Sequence, residues 1–142
     1  MKISLASDHG GLQLKKDVAA YLKKLGHTVL DFGTDSTDSC DYPDFAKPAA
    51  LAVANGECER GILVCTTGIG VSMVANKVKG VRCALCVNAD MAKMTRAHNN
   101  ANVIALGQKY VDVETAKAII DNFLNTDFEG GRHAIRVSKI ED

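Results

Sequence analysis

Short apolar segments alternate with longer amphipathic segments along this chain. The short segments predict strands, and the longer ones, in which apolar residues recur every three or four positions, predict helices. Regular alternation of the two is typical of a parallel sheet, because parallel strands need a crossover connection between them. The pattern therefore predicts an α/β fold whose five strands cover residues 3–6, 28–32, 61–65, 81–87 and 103–106.

Two long amphipathic helices are predicted to pack on this sheet. In the first, apolar residues from Leu14 to Leu25 recur at helical spacing. Gly26 follows at the point where a left-handed residue commonly ends a helix. A similar apolar stripe at residues 116–124 predicts the last long helix. Both stripes should face the sheet.

Two further helices are predicted between these, at residues 44–54 and 90–97. Pro48 lies within the first of them, and proline lacks the N–H that a helix interior needs. It should therefore lie in the first turn of that helix or kink it. Asn88 precedes the second helix and is a plausible N-cap, because its side-chain oxygen can accept a hydrogen bond from the first turn.

Polar or glycine-rich segments follow four of the predicted strands. In open parallel sheets, ligands bind outside the carboxyl ends of the strands, so these segments should meet at one edge. They are Ser7 to Gly11, Asp41-Tyr42-Pro43, Cys65 to Ser72 and Asn88 to Asp90. By contrast, His98-Asn99-Asn100 follows the fourth helix, at the opposite edge. Its arrival in the same site would need a symmetry-related subunit, which favours a dimer.

The composition narrows the class of protein. At 142 residues the chain fits one domain with a proper core. Seventeen basic residues balance seventeen acidic ones, so no net charge favours a nucleic acid or an anionic membrane as partner. No apolar stretch reaches membrane-spanning length and no secretion signal is evident, so we expect a cytoplasmic protein. The odd number of cysteines, five, argues against a disulfide framework.

The segment from Cys65 to Ser72, here called the Cys65 loop, places one thiol beside a glycine-rich turn and a helix start. Such a turn presents backbone N–H groups to an anion, and a thiolate is a base or nucleophile. The loop lacks the Gly-Lys-Ser/Thr of a Walker loop, and Val71 stands where a Cys-x5-Arg phosphatase has arginine. Met73 replaces the third glycine of a dinucleotide fingerprint. From the residues alone, Cys65 is either a chemical group or a core residue at a strand end.

Other polar segments also have two interpretations. Asp8-His9-Gly10-Gly11 could bind hydroxyls and an anion, or cap a helix. Arg132 and Arg136 lie four apart after two glycines, a spacing that suits a phosphate monoester or a solvated terminal helix. Cys83 and Cys86 should face opposite sides of a strand and therefore cannot readily hold one ion. No metal site is predicted.

Taken together in order, these segments resemble the type B ribose-5-phosphate isomerases, a family that includes the galactose-6-phosphate isomerase subunits. The match runs nearly end to end. It rests on Ser7-Asp8-His9-Gly10-Gly11, Asp41-Tyr42-Pro43-Asp44, Cys65-Thr66-Thr67-Gly68-Ile69-Gly70-Val71-Ser72, Ala75-Asn76-Lys77, His98-Asn99 and Gly130-Gly131-Arg132-His133.

The resemblance implies a three-layer α/β/α Rossmann-like domain with a five-stranded parallel sheet. It implies a single sugar-phosphate isomerase domain over residues 1–142, with a C-terminal tail from about residue 126 packing on a partner subunit. The protein would be a homodimer or tetramer with shared active sites. It would act in carbohydrate metabolism, in the pentose phosphate pathway, without metal or cofactor. Its reaction would interconvert ribose 5-phosphate and ribulose 5-phosphate.

Matching positions also imply roles for single residues. Cys65 is the base that moves a proton between C2 and C1 through an enediolate, and Thr67 assists proton movement. His98 is the acid that opens the furanose ring, a task that suits histidine near neutral pH. The resemblance also implies an anion hole formed by Thr66, Gly68, Ile69 and Gly70. Asp8 and Asn99 would bind the sugar hydroxyls, and Tyr42 would form a wall of the pocket. The phosphate would be bound by His9, Arg132 and Arg136.

Two departures within the family bear on these roles. Some members use a glutamate as base and lack the cysteine, whereas here Cys65 is present and residues 71–73 offer no carboxylate. The cysteine mechanism is therefore the consistent one. Many relatives have arginine where this chain has Lys109, and lysine lacks the planar fork for phosphate. Lys109 is kept as a candidate phosphate contact.

Three other functions stay open. The closest is isomerisation of a six-carbon sugar phosphate, such as allose or galactose 6-phosphate, by the same chemistry. The second is a non-catalytic phosphosugar-binding subunit, against which the presence of both Cys65 and His98 argues. The third is a dinucleotide-binding module, which the imperfect glycine pattern of the Cys65 loop supports least.

Overall fold

Five parallel strands form one sheet in the computed structural model, which describes residues 1–141; Asp142, included in the predicted domain and tail, lies outside the described residues. The strands are β1 (Lys2–Ser7), β2 (Thr28–Asp31), β3 (Arg60–Cys65), β4 (Cys83–Leu85) and β5 (Val103–Gly107). Their order across the sheet is β2-β1-β3-β5-β4. The predicted five-stranded parallel sheet is confirmed.

Helices cover both faces of this sheet. They are α1 (Leu12–Lys24), α2 (Pro43–Ala54), α3 (Ile69–Asn76), α4 (Ala89–Asn99), α5 (Val113–Asn125) and α6 (Arg132–Ser138), and a 3₁₀ turn over His9–Gly11 precedes α1. Two buried apolar clusters line the faces of the sheet, one shared with α1, α4 and α5 and the other with α2 and α3. This arrangement confirms the predicted three-layer α/β/α class.

The helix ends follow the local sequence. Gly26 has φ of +90° just beyond α1, as its position predicted. The Asn88 side chain accepts a hydrogen bond from Met91 N at 2.9 Å, so its predicted role as N-cap of α4 is also confirmed. Pro48 lies beyond the first turn of α2, which starts earlier, at Pro43. The helix continues past Pro48, so of the two predicted alternatives the place in the first turn is wrong, and a kink stays a prediction.

Strand β4 is shorter than the predicted segment 81–87. It is an edge strand that pairs with β5 alone, over Cys83 to Leu85. Just before the strand, Arg82 N donates to the Asn102 side chain at 2.8 Å instead of to a backbone carbonyl, while Arg82 O accepts from Val103 N at 3.2 Å. Cys83 and Cys86 pack in the clusters on opposite faces of the sheet, as their spacing predicted.

The connections determine where functional residues lie. Helix α4 begins beside the carboxyl end of β4 and runs back to the amino end of β5, so its last turn lies at the opposite edge of the sheet from Cys65. Helix α6 packs against α4, and Glu129 N donates to Ala97 O at 3.0 Å. The tail therefore folds onto its own chain; its packing on a partner stays a prediction. Among residues 1–141, no helix is both long and apolar enough to span a membrane.

Candidate active site

The carboxyl ends of β1 and β3 lie side by side at the point where the crossovers diverge. Helix α1, after β1, covers one face of the sheet, and α3, after β3, covers the other. This is the topological switch point at which α/β sheets bind ligands. A cleft of about 550 Å³ opens there, lined by Asp8, His9, Cys40, Asp41, Tyr42, Pro43 and Asp44.

The Cys65 loop surrounds its thiol with backbone. Cys65 is 5% exposed, and its Sγ accepts a hydrogen bond from Gly68 N at 3.1 Å. Gly68 has φ of +78°, which L side chains rarely adopt, and a Cβ there would lie 2.9 Å from the Leu106 carbonyl carbon. The N–H groups at the start of α3 follow at once. The loop therefore presents donors where negative charge on sulfur or on a substrate oxygen would develop.

Two glycines bring neighbouring loops against the Cys65 loop. A Cβ on Gly10 would overlap Thr66 Oγ1, so the turn after β1 touches the start of the loop. A Cβ on Gly70 would lie 2.7 Å from the ring of Tyr42. The predicted meeting of the first three segments at this edge is confirmed.

Asp8 and His9 are fixed by backbone contacts. Asp8 is buried and accepts from Gly10 N at 2.9 Å, so the carboxylate does cap the 3₁₀ turn. His9 is exposed, and its Nδ1 accepts from Cys40 N at 3.3 Å. In the neutral ring the proton then lies on Nε2, which makes that atom a donor for an anion. Cys40 is a contact that the sequence analysis missed.

Lys109 lies beside the Cys65 loop through its backbone. Its N–H donates to Thr66 O at 2.9 Å, just after β5. The side chain is exposed, with its Nζ 5.8 Å from the ring centroid of Tyr110. Lys109 thus shares the edge of Cys65. Its contact with a phosphate stays a prediction.

The remaining predicted residues form a second cluster. A cleft of about 410 Å³ is lined by His98, Asn99, His133, Arg136, Val137 and Ile140. Arg132 is exposed at the start of α6, and Arg136 follows four positions later on the same helix. Because this cleft lies at the end of α4, one chain does not bring His98, Asn99 and the arginines to Cys65. This separation agrees with the prediction that they reach one site only across subunits.

Two histidines stack within the second cleft. The rings of His98 and His133 have centroids 4.1 Å apart and are 9° from parallel. Glu129 approaches both, at 3.7 Å from His98 Nε2 and 3.6 Å from His133 Nε2. Burial, followed by the charges of His98 and Arg132, lowers the pKa of His133 below its ordinary value. His133 and Glu129 had no predicted role, although their four-residue spacing indicates that the two side chains can meet.

Comparisons with known proteins agree with this architecture. A family model described as Ribose/Galactose Isomerase matches residues 3–140. Ribose-5-phosphate isomerase B of Escherichia coli is 45% identical over 139 residues, which cover 98% of this chain and 93% of that protein.

Solved structures extend the likeness to three dimensions. Ribose-5-phosphate isomerase B of Clostridium thermocellum is 54% identical and has a TM-score of 0.97, with coverage of 99% of this chain and 95% of that one. The Mycoplasma genitalium enzyme with bound ribulose-5-phosphate is 47% identical and has a TM-score of 0.93, with coverage of 98% and 93%.

Proposed function

Because this chain belongs to the ribose/galactose isomerase family, we propose that it interconverts ribose 5-phosphate and ribulose 5-phosphate. The observation that carries the proposal is the buried Cys65 at the switch point, with Gly68 N–H 3.1 Å from its sulfur. A base is needed there to remove a carbon-bound proton, and the thiolate of a cysteine is a base. The bound ribulose-5-phosphate of the Mycoplasma genitalium relative supports the same substrate class.

The proposed reaction has two proton-transfer stages. His98 donates a proton to the ring oxygen, which opens the furanose to the aldehyde. Cys65 then removes the C2 proton and returns it to C1 through an enediolate. The amides of the Cys65 loop hold the developing enediolate oxygen, while Thr67 assists proton exchange between the two oxygens.

The other residues would bind and orient the sugar phosphate. Asp8 and Asn99 are assigned to the hydroxyls, and Tyr42 to the wall of the pocket. His9, Arg132 and Arg136 are assigned to the phosphate, with Lys109 as an additional cation. Since His98, Asn99 and the arginines lie at the other edge of the sheet, we propose that a second copy of the chain completes each site, in a dimer or a tetramer.

A steady-state assay of ribose 5-phosphate isomerisation tests the proposal. We expect turnover by the wild type and a fall in kcat of about 10²- to 10⁴-fold in Cys65→Ala, because the carbon acid loses its base. Cys58→Ala is the matched control, since this thiol is also buried but lies before β3, at the opposite end of that strand from Cys65. Absence of turnover by the wild type contradicts the function. Full turnover by Cys65→Ala contradicts only the assigned base.

The family description, which names galactose as well as ribose, favours a second candidate substrate of six carbons. The same chemistry would act on allose or galactose 6-phosphate in a roomier pocket. Comparison of kcat/KM between five- and six-carbon substrates separates the two, because specificity is a difference in transition-state binding. Tight sugar-phosphate binding without turnover of any of them would instead indicate a binding subunit.

We further propose that the reaction needs no metal or cofactor. The assigned residues supply the base, the acid and the oxyanion donors, so no step depends on a bound ion. Treatment with a chelator should therefore leave kcat unchanged. A loss of activity that added Mg²⁺ or Zn²⁺ restores would contradict this.

A further inference from the structure

Three side chains of the second cleft converge on one point. His98 comes from the last turn of α4, His133 from α6, and Glu129 from the segment between α5 and α6. One ligand atom from each residue, an imidazole nitrogen of either histidine and a carboxylate oxygen, lies within 4.8 Å of the other two. We call these three residues the His–Glu–His cluster. Its members come from separate elements, so their meeting is a product of the tertiary fold.

The backbone holds this cluster in place. Glu129 N donates to Ala97 O at 3.0 Å, which ties the segment before α6 to the last turn of α4. His133 N donates to Gly130 O at 3.0 Å and closes the turn that carries its side chain. The two imidazole rings then stack at 4.1 Å. The three side chains are therefore brought together before any ligand arrives.

One atom of the cluster has no hydrogen-bond partner. His133 is only 8% exposed, and its Nε2 is buried without a donor or acceptor at bonding distance. A buried polar atom that lacks a partner costs free energy, and such atoms are uncommon in folded proteins. Glu129 Oε1 lies 3.6 Å from it, which is beyond hydrogen-bond range. The Nε2 atom of His133 is therefore available to bind a ligand.

The chemistry of the three groups selects the kind of ligand. Two imidazole nitrogens and one carboxylate oxygen form the donor set of three-ligand zinc sites that keep a fourth position open. Ligands bonded at about 2.0–2.1 Å around a tetrahedral ion lie about 3.3 Å apart. In the structure His98 Nε2 lies 3.7 Å from Glu129 Oε2 and His133 Nε2 lies 3.6 Å from Glu129 Oε1. Each imidazole faces a different oxygen, so the carboxylate must rotate to offer one oxygen to the ion or bind it through both. The parallel rings must tilt toward a common point. The side chain of His98 is 34% exposed and that of Glu129 57%, so both have room to move.

We propose that the His–Glu–His cluster binds one divalent transition-metal ion of the Zn²⁺ class and that this ion inhibits the isomerase. The inhibitory half rests on the proposed function, in which His98 is the acid that opens the sugar ring. A metal ion on His98 Nε2 occupies the lone pair that would carry the proton, so ring opening stops. His98 and His133 also line the cleft that contains Asn99 and Arg136.

Calorimetric titration of the metal-free protein with Zn²⁺ tests the site without any substrate. We expect one ion per chain, and an affinity at least about tenfold lower in Glu129→Gln, which keeps the shape of the side chain and removes its charge. Glu57→Gln, at an exposed position on the loop before β3, is the matched control. Every variant keeps all five cysteines, so binding by thiols cancels in the comparison.

His133→Asn is a second variant for the same titration, and circular dichroism checks that it folds. Equal zinc affinity in wild type, Glu129→Gln and Glu57→Gln overturns the site, as does an absence of binding by the wild type. Because this titration needs no turnover, a site found in a protein without isomerase activity stands while the proposed function fails.

The inhibitory role has its own readout. We expect Zn²⁺ to lower the isomerisation rate of the wild type, and a chelator to restore it. Glu129→Gln, compared with its own metal-free rate, should need at least about tenfold more Zn²⁺ for half-inhibition. Binding of one ion per chain without inhibition would overturn the inhibitory role.

Discussion

At the residue scale, Gly10 lets the turn after β1 pack directly against Thr66, because the space that a side chain at position 10 would need is filled by the Thr66 side chain. A Cβ there would overlap Thr66 Oγ1. Gly10→Ala should therefore displace Thr66 from the anion-binding edge and lower kcat/KM about tenfold or more, as small misplacements of binding groups do. The free energy of unfolding should change little by comparison with kcat/KM, because the exposed Thr66 side chain can rotate away from the added methyl group. Steady-state kinetics and urea denaturation measure the two quantities.

Gly56→Ala is the comparison for that variant. A Cβ on Gly56 meets no atom within 4 Å, although its φ of +82° makes alanine strained. It should lose about 1–2 kcal/mol of stability without a change in kcat/KM. If Gly10→Ala retains full kcat/KM, the contact between the two loops does not position the site.

Cys86 should make stability fall at alkaline pH. Burial raises the pKa of its thiol to about 12 from an ordinary value of 9.0. As pH rises above the ordinary value, the unfolded chain releases a proton that the folded chain keeps. The free energy of unfolding should then fall by about 1.4 kcal/mol per pH unit from this group, until the pH reaches the folded-state pKa.

Urea denaturation at a series of pH values between about 8 and 11 measures this slope. Cys86→Ser should show a shallower slope than the wild type, because a hydroxyl does not titrate in that range. Parallel slopes in the two proteins would contradict the assignment to Cys86.

Single residues were predictable where local chemistry sufficed. Cys65 stood out because a thiol followed by glycines at a strand end suits an anion site, although the residues alone left it as either a chemical group or a core residue. The left-handed φ of Gly68 agrees with the predicted sharp turn. Glu129 and His133 were missed as partners of His98 because thirty or more residues separate them from it. Only the packing of α6 on α4 joins them, and a pattern along the chain does not show such packing.

At the element scale, Lys15 connects α1 to the loop after β2. It is 1% exposed, and its Nζ donates to Asp31 Oδ1 at 2.8 Å and to Thr34 O at 2.6 Å. Hydrogen bonds from a charged donor contribute about 1.5–3 kcal/mol each. Lys15→Ala should therefore lower the free energy of unfolding by about 3 kcal/mol, measured by urea denaturation.

Lys16→Ala provides the matched control, because the neighbouring lysine is exposed and should cost less than about 0.5 kcal/mol. The loop that Lys15 holds continues to Cys40 and Tyr42, which line the cleft. A rise in KM should accompany the loss of stability. Equal stabilities of the two variants would show that the buried contacts contribute little.

The existence of elements was predictable, and their ends were less so. Helix α1 has a wide apolar stripe and a glycine stop, so its pattern alone located it. Strand β4 begins later than predicted, at Cys83, and just before it Arg82 N bonds the side chain of Asn102, a contact between residues twenty apart. Such side-chain competition for backbone groups does not appear in an apolar pattern.

At the scale of the whole molecule, the candidate site is divided between two edges of one sheet. Cys65 lies at the carboxyl end of β3, and His98 in the last turn of α4 at the other edge. If two chains complete each site, Cys65→Ala and His98→Asn should each be inactive alone. A heterodimer of the two has one site that carries both substitutions and one that carries neither, so it should recover about half of the wild-type activity.

Co-expression of the two variants with different affinity tags, followed by tandem purification, yields that heterodimer. A heterodimer of two differently tagged wild-type chains gives the reference activity. Recovery to about half supports shared sites. A heterodimer as inactive as its parents would show that each chain uses its own Cys65 and His98.

Topology made this division predictable, since a crossover helix must return to the amino end of the next strand. The position of the C-terminal tail was harder to predict from the sequence. Glu129 N bonds Ala97 O and Glu141 bonds Gly80 N, so residues after α5 are fastened to their own chain. Two glycines at 130 and 131 with positive φ permit that bend, but many other directions were open to them.

The return of α4 to the far edge also has a consequence for dilution. If two chains complete each site, a separated chain holds Cys65 and His98 at opposite edges of its own sheet and carries no complete site, however well it folds. Activity per chain should then decline as the protein concentration falls below the dissociation constant of the pair. The amount of this protein in a cell would thereby set both the number of sites and the fraction of them that is complete.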